Sequence, residues 1–144
     1  MTIRKGFTVY LGGNLNNREY NEVRKERDYI ITKLRKVGIR VLDPLRNKSR
    51  DVDGKILTNF SIKELIDRDK RDLQIADLLV ILTGDICSDG SWLEFGYMKY
   101  KLDKPVIIFA PTRKGNMSWS DYESVVYDNL NIMIDKIINY WSTE

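Results

Sequence analysis

The 144-residue chain contains no histidine and a single cysteine, Cys87. The first absence removes Ser-His-Asp and Cys-His nucleophiles and every histidine-ligated zinc site. The second forbids an internal disulfide and any site built from clustered thiolates. Cys87 lies between Asp85 and Asp89 with no group beside it to lower its pKa, so it reads as incidental. No apolar run approaches the roughly 20 residues of a membrane-spanning helix. The first residues carry no apolar signal-peptide core, so a reducing, cytoplasmic setting is the expectation. Any chemistry must then rest on carboxylates, hydroxyls, lysines or the one thiol. No metal and no cofactor is expected.

Repeats, linkers and low-complexity segments are also missing, which points to one domain over 1–144, long enough to bury a real core. The formal charge of +3 conceals an asymmetry: residues 1–72 carry 18 Lys and Arg against 11 Asp and Glu, residues 73–144 carry 6 against 10. A basic half can attract phosphate or nucleic acid, but solvated helix faces account for it more simply. Neither a nucleic-acid nor a membrane partner is expected.

The pattern alternates strands and helices. Residues 7–11 (FTVYL) are β-rich and end at Gly12-Gly13. Asn16 or Asn17 can cap a helix to about Val37, with a stripe at Tyr20, Val23, Arg27, Ile30, Ile31 and Leu34. Arg27 interrupts that stripe and is expected to snorkel to water. Gly38 stops the helix, and residues 39–42 form a second strand closed by Asp43-Pro44. Residues 46–60 read as a polar loop, and Ser61-x-x-Glu64 is a capping box opening a helix to about Ala76. Residues 78–82 (LLVIL) read as a central strand buried on both faces. A helix over 91–102, a strand over 105–110 and a helical segment over 121–141 with a break near Asp128 complete the reading. Strands joined by helical crossovers predict a three-layer α/β fold, doubly wound and flavodoxin- or Rossmann-like, with four to five parallel strands. Ligands in such sheets sit beyond the carboxyl ends of the strands, at the switch point. That directs attention to residues 10–17, 43–46 and 83–94.

Three residues there are candidates for chemistry. Asp69 falls on the apolar stripe of Ile62, Leu65, Ile66, Leu73 and Ala76. A carboxylate on a core-facing stripe is costly unless it is paired or lines a cavity. It is either an acid/base group facing a pocket or an edge carboxylate paired with Lys70, Arg71 or a neighbouring helix. Glu94 follows a loop containing Gly84, Ser88 and Gly90. It either points into the switch-point crevice as a nucleophile or base, or closes a capping box with Ser91. Tyr10 is either a hydroxyl at the glycine turn or a core aromatic with a wet tip. The turn itself, Gly12-Gly13-Asn14, matches neither a dinucleotide fingerprint nor a P-loop, and leaves a place where a small ligand can approach the backbone.

Together these segments resemble the nucleoside 2-deoxyribosyltransferase family over about residues 7–138. The resemblance rests on Val9-Tyr-Leu-Gly-Gly13, on Val41-Leu-Asp-Pro-Leu-Arg46, on the spacing Asp69-x7-Asp77-Leu-Leu-Val-Ile81, and on Ser88-Asp-Gly-Ser-Trp-Leu-Glu-Phe-Gly-Tyr97 followed by Lys104-Pro-Val-Ile107. Asn116-Met117-Ser-Trp119 matches, more loosely, a loop that in the family reaches a neighbouring subunit's site. The resemblance implies a nucleophilic Glu94, an acid/base Asp69 and a Tyr10 that holds the glutamate. It implies substrate contacts from Gly12, Gly13, Asn14, Arg46, Ser88, Gly90, Asn116 and Met117. The implied partners are nucleosides and nucleobases, bound by a homo-oligomer with sites near subunit interfaces. Ser88 stands where some family members carry an acidic residue and where the related 2′-deoxynucleoside 5′-monophosphate N-glycosidases carry a phosphate-contacting serine. A hydrolytic N-glycosidase acting on nucleotides or nucleosides is therefore the alternative to base exchange. A non-enzymatic nucleotide-binding module on the same fold is a third reading.

Overall fold

The computed structural model describes residues 5–13, 19–45, 49–50, 56–57, 59–83, 89–112 and 124–143. Five parallel strands form the sheet: β1 (Thr8–Gly13), β2 (Arg40–Leu42), β5 (Leu78–Leu82), β6 (Val106–Phe109) and β7 (Val125–Tyr127), in the order β2-β1-β5-β6-β7. Counting only these strands, the order is that of a flavodoxin-like doubly wound sheet, with its switch point between β1 and β5. The remaining strands, β3 (Ser49–Arg50) and β4 (Ile56–Leu57), pair antiparallel with each other. They lie within the stretch 46–60 expected to be a loop and correct that expectation at these four residues.

Helices α1 (Tyr20–Lys36) and α4 (Leu130–Lys136) cover one face of the sheet. Helices α2 (Ile62–Ile75) and α3 (Asp89–Gly96) cover the other. A π-helical turn extends α3 over Tyr97–Lys101, and another extends α4 over Ile137–Trp141. The two cores follow from the period-two alternation of strands. Val9 and Leu11 of β1 pack with Leu78, Val80 and Leu82 of β5 against Ile30, Leu34 and Met133. Tyr10 packs with Leu79 and Ile81 against Leu73, Phe95 and Met98. All five residues of β5 are buried, as a central parallel strand requires.

Most element ends follow the predicted signals. The Ser61 capping box opens α2, and Gly38 adopts φ +91° after α1. The cap of α1 is instead Glu19, whose side chain accepts from the Glu22 amide; Asn16 and Asn17 lie outside the described residues. The expected helix over 121–141 is corrected at its start. Val125–Tyr127 forms the edge strand β7, and the helix begins only after Asn129 caps it. Val-Val-Tyr is a β-branched and aromatic run, and pairing with Ile107–Phe109 outweighs a local helical preference. No described helix is long and apolar enough to cross a membrane.

Candidate active site

The carboxyl end of β1 is where the site begins. Tyr10 and Gly12 point to the α2/α3 face, because alternate strand residues share a face. Gly13 has φ +136°, and a Cβ there would sit 2.2 Å from the Leu82 carbonyl oxygen. Only glycine lets β1 lie this close to β5 at the switch point. Gly12 is needed for a different reason. A methyl group on it would lie 3.3 Å from Glu94 Oε1, 3.3 Å from a Leu79 methyl and 3.4 Å from the Tyr10 ring. Gly12 therefore packs directly beneath the Glu94 carboxylate.

Glu94 reaches this position from within α3. The helix starts at Asp89, so Ser91 is a buried residue of its first turn and not its cap. The capping-box alternative for Glu94 is thereby corrected. Trp92 and Phe95 meet edge to face at 6.2 Å and seat α3 on the sheet. Across the cleft, Gln74 Nε2 of α2 donates to the Tyr97 hydroxyl at 2.9 Å. Lys104 Nζ donates to the Gln74 and Ala76 carbonyls, at 2.6 and 2.7 Å, and closes the C-terminal end of α2. Asp77, the second acid of the Asp69-x7-Asp77 spacing, accepts from the Thr8 amide at 2.8 Å and aligns β5 with β1. The two helices that carry Asp69 and Glu94 are thus tied to each other and to the sheet.

Between them lies a cleft of about 720 Å³ whose lining includes Tyr10, Gly13, Asp69, Gly90 and Glu94. Its walls are largely apolar, from Pro44, Ile66, Leu73, Trp92, Leu93 and Tyr97. An apolar pocket with a few convergent polar groups is the usual form of a small-molecule site. The stripe expected of α2 is only half right. Leu73 and Ala76 are buried, but Ile62 and Ile66 are 78% and 51% exposed. Ile66 borders the cleft mouth instead of the core. Asp69 lines the cleft and lies 3.8 Å from the Arg68 guanidinium.

Tyr10 is fully buried, so its expected wet tip is corrected. Its hydroxyl meets no partner at strict hydrogen-bond geometry among the described residues. Burial holds its pKa well above the ordinary value, and the Glu94 and Asp69 carboxylates, with a loose contact to Glu94, add to the rise. The phenol is therefore a proton-bearing group aimed between two carboxylates.

Arg27 corrects the snorkelling expectation. It is 1% exposed, and its Nη1 donates to the Leu11 carbonyl at 2.6 Å and pairs with Asp43 Oδ1 at 3.2 Å. The sequence signal was its position on the α1 stripe, three and four residues from Ile30, Ile31 and Val23. The buried Asp72, on the Asp69 face of α2, also escaped the sequence reading. The structure brings together Tyr10, Gly12, Gly13, Asp69, Gly90 and Glu94. Asn14, Arg46, Ser88, Asn116 and Met117 lie outside the described residues.

No protein-family model matches the sequence, and no curated protein matches it. Solved structures do. A 2-deoxyribosyltransferase from Bacillus psychrosaccharolyticus superimposes with a TM-score of 0.66 at 21% identity, over 89% of this chain and 90% of that one. A CMP N-glycosidase from Clostridium botulinum superimposes with 0.62 at 17% identity, over 90% and 96%. A 2-desoxiribosyltransferase from Leishmania mexicana superimposes with 0.64 at 11% identity, over 93% and 98%. The chain shares the Rossmann-like α/β fold of these enzymes across nearly its whole length.

Proposed function

We propose that the chain is a nucleoside 2-deoxyribosyltransferase that moves 2-deoxyribose between nucleobases through a glycosyl-glutamate intermediate. The observation that carries this reading is the convergence of Tyr10, Asp69 and Glu94 on one largely apolar cleft at the switch point. The shared fold with two deoxyribosyltransferases and an N-glycosidase supports it.

In this mechanism a Glu94 carboxylate oxygen attacks C1′ of the deoxynucleoside. The C1′–N bond breaks, and the departing base takes a proton from the Asp69 carboxylic acid. A second base then gives a proton to the Asp69 carboxylate and attacks C1′, which releases Glu94. Two inversions leave the β-configuration unchanged, the logic of a retaining glycosidase with a base in place of water. Tyr10 donates its proton toward Glu94 and keeps the carboxylate aligned. The apolar walls from Trp92 and Leu93 seat a flat base and keep water from the intermediate. Ile66 and Leu93, exposed where they line the cleft, support a homo-oligomer in which a second copy covers the site. Nucleosides and nucleobases are the proposed ligands, and no cofactor takes part.

The alternative is hydrolysis by the same glutamate, favoured by the likeness to the CMP N-glycosidase. The two separate in one assay: deoxynucleoside incubated with and without a second base. Exchange predicts a new nucleoside and faster loss of substrate when the second base is present. Base release that ignores the acceptor, with no new nucleoside, contradicts exchange.

Tyr10→Phe tests the aligning role. The hydroxyl has no strict partner among the described residues, so its removal is expected to leave stability within about 0.5 kcal/mol near neutral pH. Turnover is expected to fall roughly 10- to 100-fold. Because the folded pKa is raised, wild-type stability holds below pH about 10 and declines as pH rises toward the folded value. The Phe variant should lack that part of the alkaline decline, read from denaturant melts at several pH values.

A further inference from the structure

The β1–β2 ladder fails just where the site begins. The Arg40 amide donates to the Phe7 carbonyl at 3.0 Å, and the last paired residues are Tyr10 and Leu42. A parallel ladder repeats every two residues, so the rungs after Arg40 belong to Leu42 and to residue 44. Residue 44 is Pro44, which has no N–H to give. The Leu11 carbonyl, the acceptor for that rung, receives Arg27 Nη1 instead.

The same guanidinium is one of two that bracket Asp43. Arg24 Nη2 lies 3.3 Å from Asp43 Oδ2, and Arg27 Nη1 lies 3.2 Å from Asp43 Oδ1. Two arginines thus meet one buried carboxylate. Asp28, which also pairs with Arg24, is 57% exposed and so strongly screened by water. Buried ion pairs are weak evidence for stability, because apolar replacements are often neutral. A charge this well buried calls for another role.

We infer that Arg27 is a positioning residue for the site: it stands in for the ladder rung that Pro44 cannot make, and it sets its charge one peptide unit from the Glu94 carboxylate. The charged and titratable groups around Glu94 set what that charge must offset. Tyr10 faces it from β1, Asp69 and Asp72 come from α2, and Lys70 of α2 borders the same cleft. Asp43 closes β2 behind them. Arg68 of α2, 3.8 Å from Asp69, is the other cation there; the carboxylates of Asp69, Asp72 and Glu94 gather around one phenol, and neighbouring negative charge opposes ionisation. Arg27 Nη1 holds the Leu11 carbonyl at 2.6 Å, and the next residue, Gly12, has its Cβ position 3.3 Å from Glu94 Oε1, so guanidinium and carboxylate flank one peptide unit. The inference rests on the proposed nucleophilic role of Glu94 only for its catalytic consequence.

The test is a carbon-13 NMR titration of the Glu94 carboxyl, assigned by its absence in Glu94→Gln, alongside the pH profile of deoxynucleoside cleavage. Arg27→Met removes the charge at similar volume and is expected to move the Glu94 midpoint up by roughly one pH unit. Asp43→Asn takes the buried carboxylate from Arg27, while Arg24 keeps Asp28, and should move the midpoint down. Arg27→Lys keeps the charge and should leave it near wild type. The acid limb of the activity profile should follow the same order. Opposite shifts are something a merely structural pair would not produce. If Arg27→Met does not fold, the direction of the Asp43→Asn shift decides. Midpoints that stay put in the folded variants overturn the inference. Midpoints that move in a protein that cleaves no deoxynucleoside uphold it and overturn the functional reading instead.

Discussion

Glu94→Ala is expected to lower deoxynucleoside cleavage by about 10⁴-fold or more while the protein remains folded. The size follows from the proposed covalent role: without the carboxylate no glycosyl-enzyme could form, and water or base would have to attack C1′ unaided. Retention of fold follows from geometry. Glu94 is half-exposed in the cleft wall, and its helix starts five residues earlier at Asp89. Its carboxylate shares the cleft with Asp69. Removing it relieves the repulsion between the two carboxylates, so the melting temperature should be unchanged or higher. A nucleotide-binding module without catalysis would show no such loss, since there Glu94 carries no reaction. Steady-state assay and thermal melts on the same preparation separate the two.

Gly13→Ala is expected to cost about 3 kcal/mol or more, enough to unfold a marginal domain. Two independent effects add. The Cβ would lie 2.2, 2.8 and 2.9 Å from the Leu82 oxygen, nitrogen and carbon, all backbone atoms that cannot rotate away. The backbone at φ +136° is also strained for any residue with a Cβ. Relief requires parting β1 from β5, the pair that joins the two windings of the sheet and carries Tyr10 at its centre. The same substitution at Gly38, which also has positive φ but no atom near its Cβ, carries only the backbone cost. Comparing the two in denaturant melts isolates the steric part.

These expectations show where sequence patterns inform and where they stop. The central strand Leu78–Leu82 was legible because burial on both faces leaves no polar residue in it. The Ser61 cap was legible because its hydrogen bonds are local. Edge strand β7 was not, since Val125–Tyr127 becomes a strand only through pairing with β6, 18 residues away in register. The site divides similarly. Asp69 stood out as a carboxylate on an apolar stripe, and it does line the cleft. Arg27 stood out in the same way but was assigned to solvent. Its partner Asp43 is 16 residues distant, and the vacant acceptor on Leu11 exists only once β1 and β2 are paired. Ile62 and Ile66 mislead for the opposite reason: spacing places them on one helix face but does not say whether that face meets the core or the rim of a cleft.

The nucleophile is the centre of this account, and trapping it is the most direct test. A 2′-deoxy-2′-fluoro-arabino nucleoside slows both formation and breakdown of the glycosyl-enzyme, because the fluorine destabilises the oxocarbenium-like transition state. Incubation with the protein, digestion and mass spectrometry then locate the sugar. The account predicts one fluorinated sugar esterified to Glu94, lost when a free nucleobase is added. A label on another residue, or steady turnover of deoxynucleoside with no label at all, would contradict it.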